Sequence, residues 1–119
     1  MNWYLAKLVF QIVCGEGDHR PQFDEQLRLV AANSKESAFE KAQRLGSEGE
    51  DNFYNQKEQL VRWQFINVCE IYRLSELIDG AELYSRIEER DNADEYIRVI
   101  NKKAENILFT KTHQLLQLA

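Results

Sequence analysis

WYLAKLVFQIVC, residues 3–14, decides the fold. Its apolar residues recur at period two, not at the helical 3.6. Even positions carry Tyr4, Ala6, Leu8, Phe10, Ile12 and Cys14, one continuous dry face. Odd positions carry Trp3, Leu5, Val9 and Val13, interrupted by Lys7 and Gln11. Successive side chains of a strand point to opposite faces. The stretch therefore reads as a long strand with one buried and one mixed face.

The pattern repeats downstream. Over residues 23–32, Phe23, Leu27 and Leu29 alternate with Asp24, Gln26 and Arg28. Between the two runs lies CGEGDHRPQFDEQL, residues 14–27. Gly15 and Gly17 permit positive φ, Asp18 favours turns, and Pro21 cannot donate to a ladder. These residues predict a hairpin connection over 15–22, with His19 in solvent.

The period then changes. Ser34 is placed to cap a helix whose inner face carries Ala38, Phe39, Ala42 and Leu45, with Gly46 as the expected C-cap. A second hairpin follows, with a short arm at 53–56 and a long arm at 59–74. Val61, Trp63 and Phe65 alternate with Arg62 and Gln64, and then the phase slips. One extra residue produces such a slip, so a β-bulge is expected near Ile66–Val68. Residues 81–90, after the Asp79-Gly80 turn, fit a helix or a strand equally. From Ala93 the period is helical, through Tyr96, Ile97, Ile100 and Ala104. The reading is an α+β fold: an antiparallel sheet of about four strands in ββαββα order, with helices packed on one face.

The chain has 119 residues, 44% apolar and 29% charged, with a net charge of −5. That suits one α+β domain over 1–119, its core at about 2–86 and a C-terminal helical segment at about 93–118. No basic run offers a surface to nucleic acid or to an anionic membrane. No apolar run is long enough to span a bilayer. The N-terminus lacks the basic start of a signal peptide, so the expected location is the cytoplasm.

Little catalytic chemistry is visible. Cys14, His19, Cys69 and His113 are far apart and lack the spacing of a metal site, so no metal or cofactor is expected. The cysteines read as small core hydrophobes. Glu16, Asp18, His19 and Arg20 form a titratable cluster that suits a solvated hairpin tip better than a proton shuttle. The glycines at 14–17 and 46–49 stand among acids, which would repel phosphate.

NWYLAKLVF (2–10), ESAFEKAQRLG (36–46) and WQFINVCEIYRLSELIDGAELYS (63–85) occur in an order that resembles the bacterial domain of unknown function 4288 family. The resemblance covers about residues 2–86. It implies a small bacterial α+β protein, and it carries no activity, cofactor or catalytic residue. It draws attention to Trp3, Tyr4, Lys7, Trp63, Phe65, Gly80, Glu82, Tyr84 and Ser85.

The expected function is a non-catalytic protein-interaction module. Its support is an amphipathic sheet face on which Trp3, Tyr54 and Trp63 mix with Lys7, Gln11, Arg62 and Gln64. The alternative is a small-ligand binder or enzyme near the Asp79-Gly80 turn, using Glu82, Tyr84 and Ser85. A concave pocket with convergent polar groups would favour the alternative. The expected partner is a second copy or another protein, with a small molecule not excluded. Homodimerisation would use the sheet face or the leucines of the tail QLLQLA (114–119).

Overall fold

A computed structural model of the chain describes residues 1–109. The tail leucines and His113 lie outside the described residues. The chain divides into two compact units, Met1–Ser85 and Arg86–Ala119. Each is described by itself.

The first unit holds β1 (Asn2–Cys14), β2 (Gln22–Ala32), α1 (Lys35–Glu48), β3 (Asp51–Tyr54) and β4 (Leu60–Arg73). The second holds α2 (Ala93–Asn106). The order is the ββαββα expected, and the strands form one antiparallel sheet in the order β2-β1-β4-β3. β1 is central and pairs along most of its length on both sides. Its even residues Tyr4, Ala6, Leu8 and Phe10 are buried with Val30, Ala32 and Val68 beneath Ala38 and Ala42 of α1.

Small residues set how closely α1 approaches. Ala38, Ala42 and Gly46 form its buried stripe at i, i+4 spacing. Gly46 does not cap the helix, which continues to Glu48. The C-cap is Gly49, whose N–H donates to the carbonyls of Leu45 and Gly46. Gly46 is glycine for another reason: a Cβ there would overlap the Phe65 ring. At the other end Ser34 caps as expected, its Oγ accepting from the Ser37 N–H at 3.1 Å.

β4 carries the expected slip and one more. Val9 faces Asn67 while Phe10 faces Phe65, so Ile66 is extra; Lys7 faces Glu70 while Leu8 faces Val68, so Cys69 is extra. Each bulge reverses the parity of the strand. Val61, Trp63 and Phe65 therefore point to the α1 side, and so do Val68 and Ile71. Gln64, Glu70 and Tyr72 point to the opposite, open face, while the Asn67 Oδ1 at the first bulge accepts from Gln43 of α1 at 3.4 Å. Asn67 closes the backbone gap, its Oδ1 accepting from the Val68 N–H at 2.8 Å.

β3 ends two residues earlier than the sequence suggests. The Asn55 Oδ1 accepts from the N–H groups of Lys57 and Gln59 and turns the chain before Gln56 can join the ladder. Residues 81–90 are neither helix nor strand. Leu83 and Ile87 are exposed, so no apolar stripe anchors a helix there. Arg86 pairs with Glu88, not with Glu82. α2 begins where its period does, with the Asn92 Oδ1 accepting from the Glu95 N–H and the Arg90 guanidinium 4.6 Å from the Tyr96 ring centroid. Among the described residues no helix is long and apolar enough to cross a membrane.

Candidate functional site

The open face of the sheet gathers charge around Lys7. Its ammonium lies 3.5 Å from Glu25 Oε1 on β2 and 3.5 Å from Glu70 Oε2 on β4. Register explains the meeting. Lys7 faces Leu27 and Glu70 directly, and Glu25 stands one diagonal step away. The Tyr72 hydroxyl donates to Glu70 Oε1 at 2.7 Å, and the Tyr84 ring meets the Tyr72 ring edge-on at 5.4 Å. Apolar side chains surround this chain of groups. Leu5 is buried, while Phe23, Leu27 and Leu29 are 49–56% exposed.

The environment tunes both basic groups away from neutrality. Burial draws the Lys7 pKa down, but the carboxylates of Glu25 and Glu70 raise it further, and it ends above its ordinary 10.5. The hydrogen bond to Glu70, then burial, pushes the Tyr72 phenol up to about 12. A general base or nucleophile working at neutral pH needs the opposite shift. This cluster holds its protons.

The expected site residues do not form one surface. Lys7 is central to the cluster, and Tyr84 joins it through Tyr72. Trp3 lies on the same face, 41% exposed, near one end of the sheet. Tyr54 is 72% exposed near the other end, opposite Leu60, about 35 Å away along β1 at the ordinary strand rise. Trp63 is not on the open face. It packs against the core on the α1 side and stacks with Phe53 at 6.4 Å. Glu82 and Ser85 are exposed. Glu25, Glu70 and Tyr72 were missed as site residues, although Glu25 and Lys7 share odd parity on paired strands. Glu70 comes opposite Lys7 only through the two bulges, which together shift the register by two residues.

A separate cleft of about 420 Å³ lies beside the 15–21 connection, lined by Cys14, Glu16, Asp18, His19, Gln22 and Gln59. His19 is exposed, as expected, but its ring is held. The Cys14 N–H donates to Nε2 at 3.0 Å, which assigns the proton to Nδ1, 2.8 Å from the Arg20 carbonyl. The Cys14 sulfur lies 3.5 Å from Gln59 Oε1 and accepts from Asn55 Nδ2 at 3.4 Å. Both cysteines are free thiols. Among the described residues, no three His, Cys, Asp or Glu side chains are placed to hold a metal ion. Gly80 has a positive φ of 85°, as its turn requires, and open space where a Cβ would stand.

The family model described as a domain of unknown function, number 4288, matches residues 3–85. The chain belongs to the domain of unknown function 4288 family. The matched span ends where the first compact unit ends, at Ser85. It takes in all four strands, α1, the Lys7 cluster and Tyr84. No curated protein and no solved structure matches the chain.

Proposed function

We propose that this member of the family is a non-catalytic protein-interaction module that works through the open face of its sheet. One observation carries the reading: the Lys7–Glu25–Glu70–Tyr72 cluster stands on an apolar face with its protons held. Half-exposed Phe23, Leu27 and Leu29 supply area to bury, and the charges orient what is buried. The fitting partner is a protein surface with its own apolar patch and a group to meet the carboxylate of Glu25, whose side chain is 61% exposed.

A small-ligand reading has one observation in its favour, the cleft beside the 15–21 connection. Its polar lining suits a small polar molecule. The alternative thus moves from the Asp79-Gly80 turn to Cys14, His19 and Gln59.

The two readings separate in one experiment. Tagged wild type and the Lys7→Met and Gln59→Ala variants are recovered from the producing cells, and bound species are identified by native mass spectrometry. Lys7→Met keeps the side-chain stem and removes the charge. The interaction reading expects a protein partner that is lost with Lys7→Met and kept with Gln59→Ala. A bound small molecule lost only with Gln59→Ala would contradict it.

A further inference from the structure

The outer edge of β2 has a direction that the hydrogen bonds reveal. The Trp3 carbonyl accepts from the Leu74 N–H, and the Gly15 N–H donates to the Leu60 carbonyl. Odd residues of β1 therefore turn their backbone groups toward β4, and even residues turn theirs toward β2. Even residues of β1 face even residues of β2, as in Leu8 with Gln26 and Ala6 with Arg28. The even residues of β2 are thus spent on β1. The N–H and C=O groups of Phe23, Glu25, Leu27, Leu29 and Ala31 point away from the sheet. Lys41 confirms this independently: its ammonium reaches round from α1 and donates to the Ala31 carbonyl at 3.2 Å.

We infer that this edge pairs with the same edge of a second copy of the chain, antiparallel about a two-fold axis at Gln26. The sequence of β2 is self-complementary in that register. Each residue faces the one whose number sums with its own to twice 26. Phe23 then faces Leu29 of the second copy, and Glu25 faces its Leu27. On the α1 side Asp24 faces Arg28 of the second copy, and Arg28 faces its Asp24. The outward backbone groups of residues 23, 25, 27 and 29 pair with one another. Both ends of the ladder close without loss. Ala31 would face Pro21, which has no N–H to give, and the Ala31 carbonyl already has Lys41 as donor.

Edge strands usually carry charges that discourage pairing. Here the charges have opposite signs at positions that meet. Gln26 holds them in line within each copy, donating to Asp24 at 2.6 Å and accepting from Arg28 at 2.9 Å. Glu25 of one copy stands diagonal to Glu25 of the other, and each is neutralised by its own Lys7. The pairing joins two four-stranded sheets into one, with both α1 helices on one side. Its register is set by the strand edge and by the charges of the α1-side row, so it goes beyond the open-face reading and does not depend on it.

Charge exchange tests the register. Wild type, Asp24→Arg, Arg28→Asp and the double variant are compared by sedimentation at tens of micromolar, with circular dichroism confirming the fold of each. Wild type should sediment at twice the 14.0 kDa chain mass. Each single variant makes two like-charged pairs and should weaken the dimer about tenfold or more. The double variant, and an equimolar mixture of the two singles, should recover it. Leu27→Pro removes an N–H that points away from β1 and should leave a folded monomer. A wild-type monomer would overturn the inference, as would a dimer indifferent to the single reversals or not rescued by the exchange. The charge-exchange variants lie on the α1 side and leave Lys7 and the open face unaltered, so partner capture through Lys7 is read separately.

Discussion

At the scale of single residues, the closest constraint is Gly46 against Phe65. Gly46→Ala gains about 1 kcal/mol of helix propensity. It loses about 1–3 kcal/mol to overpacking, because Phe10 backs the Phe65 ring at 5.4 Å and limits its retreat. The variant should unfold at lower urea than wild type, and the loss should shrink in a Phe65→Leu background. An equal or higher midpoint with Phe65 intact would contradict the packing. Tyr72 supplies a pH prediction. Its folded pKa of about 12 exceeds the ordinary 10.0, so its contribution to stability is fully present below pH 10 and is lost as pH rises toward 12. Tyrosinate absorbance should show Tyr72 titrating late, and Glu70→Gln should bring that titration back toward pH 10. A Tyr72 titration unmoved by Glu70→Gln would refute the hydrogen bond. Neither relation was legible in the sequence. Gly46 reads as a cap because a helix glycine near a polar stretch usually is one, and the ring that excludes a Cβ comes from a strand 19 residues away.

At the scale of elements, the alternation over 3–14 gave β1 to within one residue because both its neighbours pair along it and its even side chains from Tyr4 to Phe10 are buried. The same logic found β2, the onset of α1 and the onset of α2. It failed on 81–90, where apolar residues are too sparse to prefer either period. It found one bulge in β4 and missed the second, since Glu70, Ile71 and Tyr72 leave parity ambiguous on a face that is itself mixed. That miss hid Glu70 and Tyr72 from the site, whereas Trp63 precedes both bulges and its parity with Val61 and Phe65 already put it opposite Arg62 and Gln64. The first bulge yields a test. Asn67→Ala removes the acceptor of the Val68 N–H beside a buried valine, and should cost about 1 kcal/mol in urea unfolding. An unchanged midpoint would mean that the bulge does not depend on Asn67.

At the scale of the whole molecule, the sheet has one face closed by α1 and one that carries the Lys7 cluster among half-exposed leucines and Phe23. The mixed odd positions of β1 announced that second face in the sequence. The charge cluster on it was not legible, because its members come from three strands joined by register. The outward edge of β2 belongs to the same account: a sheet with a long edge strand whose charges complement themselves. Amide exchange along β2, followed by NMR over a concentration series, tests it most directly. The N–H groups of Gln22, Asp24, Gln26 and Arg28, spent on β1, should be protected at every concentration. Those of Phe23, Glu25, Leu27 and Leu29 should exchange fast in dilute solution and become protected as concentration rises. Fast exchange of the odd set at all concentrations, or protection of it where the chain is monomeric, would contradict the account.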